Sequence, residues 1–308
     1  MIETLLLIPL LAGIITFFLK KDQHCFFLLI VAALAHFLLT GLTWIVPSVE
    51  IMDGWFFLDE PGRLFLNITS LLFLLASFYS IGYLKSELSG KRLDFKEHTA
   101  FTNAPRAVFT GCLLFFLATM TLVTVSQNFG VIWIALEAST LASAPLIYFH
   151  RHHRSLEATW KYLMICSVGI GLALLGLFFL AIASADPHGE PATLVLADLI
   201  RQAPHFQPLY VKAAFLFFLV GYGTKMGLAP LHTWLPDAHS EAPSVVSALL
   251  SGSLLNCAFL GILRAYQVCA AANQVQFCSE LLIGFGLFSM AVAAVFILGQ
   301  TDYKRMLA

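Results

Sequence analysis

The sequence predicts an all-α integral membrane protein with about nine transmembrane helices. Two observations predict it. Of 308 residues, 59% are hydrophobic and 11% charged, and the mean hydropathy is +0.85. A soluble globular chain is nearer about 45–50% apolar and about 25% charged. The apolar residues also fall into nine runs near the roughly 20 residues that a bilayer core requires of a helix. This composition excludes a disordered tail, a coiled coil and an ordinary cytosolic enzyme. The net charge of −1 leaves no broad basic face for nucleic acid.

The runs are 2–19, 25–47, 64–84, 107–125, 129–149, 159–183, 209–231, 244–264 and 281–299. Each reads as a helix because hydrocarbon offers no water to an open backbone. The first does not read as a convincing signal peptide. It lacks a basic leading segment and a small-residue cleavage site, and Lys20 and Lys21 follow it. The connections are short, and the two longest, 85–106 and 184–208, are too small to fold as domains.

Alternate ends of these helices share a side of the membrane. Eleven cations collect on one side: Lys20, Lys21, Lys85, Lys91, Arg92, Lys96, Arg106, Arg151, Arg154, Lys304 and Arg305. Four fall on the other: Arg63, Arg201, Lys212 and Arg264. The richer side marks the cytoplasm, so the N-terminus faces out and, with an odd helix count, the C-terminus faces in. The cluster His150-Arg-His-His-Arg154 reads as a cytoplasmic headgroup contact. The six cysteines (Cys25, Cys112, Cys166, Cys257, Cys269 and Cys278) show no metal or cluster spacing. They read as buried apolar residues, with a weak alternative of a Cys269–Cys278 disulfide.

Ionisable residues inside the spans are expensive in lipid and point to function. Glu137 is the only acid deep within a run, and Trp133 and Thr140 share its helical face. Lys225 sits in Gly221-Tyr-Gly-Thr-Lys-Met-Gly-Leu-Ala-Pro230, where three glycines and Pro230 predict a broken helix. Broken helices are how transporters expose backbone at a mid-membrane site. Lys161 is within reach of the surface, and Glu157 four residues earlier offers it a plain surface pair. Lys225, His232 and His239 are spaced by seven, which would align them on a continuous helix. Pro230 and Pro236 interrupt that helix, so water or other polar groups would have to bridge them. Histidine suits a proton relay, and the run lacks a metal-binding spacing.

The stretch Gly223-Thr-Lys-Met-Gly-Leu-Ala-Pro-Leu-His-Thr-Trp-Leu-Pro-Asp-Ala-His-Ser-Glu-Ala-Pro243 resembles the signature of the antiporter-like subunits of respiratory complex I and its relatives. Phe78-Tyr-Ser-Ile-Gly-Tyr83, Ser155-Leu-Glu-Ala-Thr-Trp-Lys-Tyr162 and Ala248-Leu-Leu-Ser-Gly-Ser-Leu-Leu-Asn-Cys257 are similar to the hydrogenase-4 component F branch. The resemblance covers essentially the whole chain. It implies two inverted five-helix repeats, each with a broken helix. Residues 1–106 would be three leading helices and 107–264 the first proton-translocation repeat. Residues 265–308 would be a loop and the first helix of a truncated second repeat. It implies proton-translocation roles for Glu137, Lys161, Lys225, His232 and His239, with Asp237, Pro230 and Asn256 in support. For Lys161 it reverses the preference for a surface pair and implies an ion pair with Glu137. Asn256 stands where several members carry lysine, so the link onward would use water or His239.

The function implied is a proton-translocating subunit with no cofactor of its own, in a bacterial or archaeal cytoplasmic (inner) membrane. It would work beside other membrane subunits and a peripheral redox arm that carries the electron centres. The same motif also fits a subunit of a multisubunit cation/proton antiporter, or an energy-coupling subunit for inorganic carbon uptake. Lacking the rest of the second repeat, the chain alone in liposomes is expected not to carry protons. The charge asymmetry makes a direct prediction: reporter fusions after Arg92 and after Arg154 report as cytoplasmic, and periplasmic reporter activity at either place overturns the orientation.

Overall fold

A computed structural model describes residues 1–46, 48–87, 92–93, 100–185 and 192–308. Of the features expected above, Pro47, Lys91 and Lys96 lie outside the described residues. The helices in chain order are α1 (Ile2–Phe18), α2 (Asp22–Leu42), α3 (Glu60–Ser86), α4 (Arg106–Val125), α5 (Phe129–Ile147), α6 (His153–Ser184) and α7 (Leu196–Gln202). They continue with α8 (Pro208–Met226), α9 (Trp234–Glu241), α10 (Ser244–Leu249), α11 (Leu255–Ala271), α12 (Val275–Leu298) and α13 (Tyr303–Leu307). A π-turn, Leu250–Leu254, joins α10 to α11 in one continuous rod. Two short strands, Arg92–Leu93 and Ala100–Phe101, pair antiparallel. Among the described residues eight helices are long and apolar enough to cross a membrane, and α1 is an apolar helix of 17 residues beside them.

Helix ends fall where side chains can satisfy the backbone. Asp59 starts α3 by accepting from the Gly62 N–H, and Asn128 starts α5 by accepting from Gly130 and Val131. His152 and Ser155 cap the start of α6 reciprocally. The basic ends gather at one end of the bundle. There Arg106 pairs with Asp22 at 2.6 Å, Ala104 N–H donates to the Phe149 carbonyl, and the Lys304 ammonium donates to the Ala242 carbonyl.

The core is centred on α4, which is buried on nearly every side and packs against α1, α3 and α5. The closest pairing is α6 with α8. On α6, Gly169, Ala173 and Gly176 form a stripe of small residues facing Ala214, Gly221 and Thr224 on α8. A methyl group on Gly221 would lie 2.6 Å from both the Gly169 carbonyl and the Ala173 N–H. Helices in lipid gain no hydrophobic driving force from one another, so such close backbone contact is what binds them. By contrast, α12 buries only Cys278.

Three expectations need correcting. The seventh run does not continue to Leu231, because the helix stops at Met226. Arg264 is not an outer flanking charge. It is fully buried within α11, whose helix runs seven residues further. Its guanidinium donates to the carbonyls of Val123 (3.0 Å), Thr124 (2.9 Å) and Ser126, and pairs with Asp59 at 3.0 Å. It therefore caps the C-terminal end of α4, whose last carbonyls have no partner within the helix. Nor is the cluster at 150–154 simply a headgroup contact. His150 bonds the Tyr83 hydroxyl and Asn103, and His152 faces Glu241 at 3.5 Å. Cys269 and Cys278 are buried free thiols.

Removing one partner of a buried, hydrogen-bonded charge pair costs about 3–5 kcal/mol. Arg264→Leu is therefore expected to destabilise the protein by about that amount, read as a lower unfolding midpoint in detergent. An unchanged midpoint would show that α4 does not depend on this cap.

Candidate functional site

The site is built where α8 stops. Gly227 follows the helix in the left-handed region, at φ 87°. The Leu228 N–H returns to the Gly223 carbonyl (2.8 Å) and the Gly227 N–H to that of Thr224 (3.2 Å), which is a Schellman closure. The Trp234 indole N–H also donates to the Thr224 carbonyl, at 2.9 Å. At membrane depth each open carbonyl would cost several kcal/mol, and these three donors satisfy those of Gly223 and Thr224. The chain turns through Pro230 and resumes as α9. Pro236 lies in the first turn of α9, where proline needs no backbone partner. Only Pro230, not Pro236, belongs to the interruption.

Lys225 occupies the last turn of α8, where its charge suits the carbonyl end of the helix. It is fully buried. Its ammonium donates to the Leu136 carbonyl at 2.9 Å and to the Thr140 hydroxyl, both near the middle of α5. The Tyr162 ring lies 5.7 Å from the ammonium, and Trp234 packs on Tyr162 at 5.0 Å. Glu137 stands on α5 between the two groups that hold Lys225. One of its carboxylate oxygens accepts from the Ser167 hydroxyl at 2.9 Å, and the other is buried without a hydrogen-bond partner among the described residues.

The expected Glu137–Lys161 pair does not form. Lys161 bridges Glu157 (2.7 Å) and Asp237 (3.0 Å), and it is 46% exposed. The residue of α6 that reaches Glu137 is Ser167. Six residues separate the two, which places Lys161 about 9 Å along the helix and about 120° around it. Asp237 also binds Arg305 at 2.8 Å, so α6, α9 and α13 meet through one carboxylate. Neighbouring Lys304 is held below the usual lysine range by burial, against the pull of Glu241 and Asp302.

His232 and His239 are not joined to Lys225 by a hydrogen bond among the described residues. The turn at Gly227 ends the common face that their spacing suggested. His232 lines a cavity of about 220 Å³ with Ser289, Phe296 and Arg305, on the side facing α12 and α13. His239 is buried in α9, and its Nε2 has no hydrogen-bond partner among the described residues. Asn256 donates to the Gly252 carbonyl at 2.7 Å, within its own helix and beside the π-turn. Three contributors escaped the sequence reading: Trp234, Tyr162 and Ser167. Trp234 and Tyr162 stood inside the recognised motifs, but aromatic residues are too common at membrane surfaces to be singled out. Among the described residues no three His, Cys, Asp or Glu side chains converge as a metal site.

A family model described as NADH:quinone oxidoreductase/Mrp antiporter, transmembrane, matches residues 126–308, more than half the chain. The chain belongs to this family. Among its family relatives is a hydrogenase-4 component F homolog of Methylacidiphilum infernorum (isolate V4). It is 34% identical over 269 residues, covering 87% of this chain and 55% of that protein. NADH-quinone oxidoreductase subunit N of Deinococcus radiodurans is 33% identical over 203 residues, covering 65% and 38%. The chain thus spans little more than half of the first relative and less of the second. In fold it is similar to a chain of the membrane-bound sulfane sulfur reductase, an archaeal respiratory membrane complex. The TM-score is 0.83 at 17% identity, over 99% of this chain and 61% of that one. A chain of respiratory complex I from Thermus thermophilus gives 0.78 at 23%, over 100% and 60%. The antiporter-like fold and the hydrogenase-4 branch are those the motifs pointed to. With eight membrane-length helices in a transmembrane family, the chain is a multi-pass membrane protein.

In this family member the break itself can be tested. A methyl group on Gly227 would meet the Leu235 side chain at 2.6 Å and would sit at φ 87°. Non-glycine residues held there cost about 1–3 kcal/mol. Gly227→Ala is expected to lower stability by that amount and to disturb the seat of Lys225. A variant as stable and as active as the wild type would show that the turn tolerates a side chain.

Proposed function

We propose that this chain is a proton-translocating membrane subunit of a group 4 hydrogenase or complex I-like oxidoreductase complex. Partner membrane subunits and a peripheral redox arm carry the electron chemistry, and this chain moves protons. The observation that carries the reading is the buried Lys225 at the end of a broken helix, held by the two groups that flank Glu137 on α5. An ionisable pair kept at such depth is costly unless used. Residues 107–264 act as the first translocation repeat, in a bacterial or archaeal cytoplasmic membrane with the N-terminus outside. The eight membrane-length helices, the basic end of the bundle and the relatives in respiratory complexes support this.

Glu137 and Lys225 interact through a medium of low effective dielectric, where small changes in separation have large effects. A shift of α5 or α6 imposed by a neighbouring subunit alters the hold of Lys225 on its proton. Lys225 then exchanges that proton with its surroundings, with His232 and His239 on the far side of the break as further carriers. Lys161 acts through Asp237 on α9, as a tether for the broken helix. Asp237 and Pro230 keep α9 in place, and Asn256 steadies the neighbouring helix.

The test uses the intact complex in inverted membrane vesicles, with an internal pH dye following redox turnover. Glu137→Gln and Lys225→Ala are each expected to cut the rate of proton uptake about a hundredfold, the low end of what a positioned proton-transfer group contributes. The amount of assembled complex should stay near normal. Undiminished uptake in both variants would reduce the pair to a structural tie between helices.

A further inference from the structure

The mechanism above leaves unexplained how a proton reaches Lys225, which is fully buried. One continuous set of polar groups touches it. The ammonium donates to the Thr140 hydroxyl, and Thr140 donates to the Leu136 carbonyl at 3.3 Å. The Tyr162 hydroxyl lies against the Thr140 side chain and meets the Ser143 hydroxyl at 2.6 Å. Ser143 donates to the Ser139 carbonyl at 2.7 Å, so Tyr162 is the donor in its bond with Ser143. All three hydroxyl residues are fully buried. A structural tie between α5 and α6 would need one such bond. Here hydroxyls are stacked along α5 from mid-helix toward its end. Ser143 lies four residues from the last residue of α5, about 6 Å along the axis. That end belongs to the basic side of the bundle, beside Arg151 and Arg154.

Resting on the function proposed above, we infer that Thr140, Tyr162 and Ser143 form a hydroxyl file carrying protons between Lys225 and the basic end of the bundle. For uptake, water entering from the end of α5 reaches Ser143 and gives a proton to its oxygen. Before this step the Ser143 hydroxyl turns from the Ser139 carbonyl toward Tyr162, and the Tyr162 hydroxyl turns from Ser143 toward Thr140. The Ser143 hydrogen then moves to Tyr162 and the Tyr162 hydrogen to Thr140. The Thr140 hydrogen, turned away from the Leu136 carbonyl, moves to the neutral Lys225 amine. One proton enters and one arrives, and each hydroxyl ends neutral with its hydrogen reoriented. The transfer leaves Tyr162 donating to Ser143, and rotation of Ser143 and Thr140 back to the Ser139 and Leu136 carbonyls resets the file. Tyr162 and Ser143 act through Thr140, so they position and relay rather than bind the translocated charge.

The file is tested in the same assembled complex in inverted vesicles, normalised to its content in the membrane. Tyr162→Phe keeps the ring against Lys225 and Trp234 and removes only the hydroxyl. Proton uptake is expected to fall about tenfold, equivalent to roughly 1.4 kcal/mol on the barrier, with an increased solvent deuterium isotope effect. Thr140→Val should show the same loss, and Thr140→Ser, which restores a hydroxyl, should recover it. If Tyr162→Phe prevents assembly, the Thr140 pair decides. Wild-type uptake in both Tyr162→Phe and Thr140→Val, with Lys225→Ala inactive, would overturn the file and leave the proposed function standing. Equal loss in Thr140→Val and Thr140→Ser would assign the defect to packing and overturn it as well. Normal uptake in Lys225→Ala would overturn both readings.

Discussion

An ammonium at the depth of lipid hydrocarbon has to be held by the protein, and the helix that delivers it has to end without leaving its carbonyls open. Those two requirements account for much of the surrounding structure. Lys225 can occupy its position because α8 stops one residue later, and Gly227, Leu228 and Trp234 take up the Gly223 and Thr224 carbonyls of its last turn. The approach of α8 to α6 is equally constrained. Gly169, Ala173 and Gly221 let the two backbones meet so closely that a methyl on Gly221 would overlap main-chain atoms. That contact sets where Tyr162 lies relative to the amine, and hence where Thr140 and Leu136 must lie on α5.

The charges at the edge of the site obey a different rule. Lys161 and Asp237 are partly exposed, and single exposed ion pairs contribute little. Yet Asp237 joins two cations from separate elements, Lys161 on α6 and Arg305 on α13. Such an arrangement fixes geometry more than it adds stability. It lets the short helix after the break follow α6 without burying a further charge, and leaves the mid-membrane pair to Glu137 and Lys225.

Much of this could be read in the sequence. Apolar runs located the helices because lipid forbids open backbone, and Glu137 and Lys225 stood out as charges within those runs. The glycines and Pro230 announced the break. Arg264 was not legible, because a charge near the end of an apolar run looks the same whether it reaches for water or turns inward to cap a neighbouring helix. The alignment of Lys225, His232 and His239 failed for a local reason: one residue with positive φ ends the periodicity on which it depended. For Lys161, the simple i,i+4 pairing with Glu157 held, whereas the pair with Glu137 drawn from resemblance did not. The azimuth of Lys161 on α6 decides that, and it can be counted only once Ser167 is known to face Glu137. The hydroxyls of Thr140, Tyr162 and Ser143 carry no signal of their own, since each is an ordinary residue of a membrane helix.

The π-turn between α10 and α11 has a further consequence. A π-turn holds one more residue than an α-helical turn, so everything beyond Leu254 is rotated by one residue, about 100°, relative to an uninterrupted helix. Gly252 passes so close to α3 that a methyl there would meet Leu72 at 2.6 Å, and Asn256 takes up the Gly252 carbonyl beside the widened turn. This offset points Arg264 at the end of α4. The helix therefore works as a phase adjuster between two fixed contacts, Gly252 against α3 and Arg264 against α4. Its length between those contacts is not free to drift. A relative with one residue fewer in this segment would bring a different side chain to the end of α4, and would need another donor in place of the guanidinium.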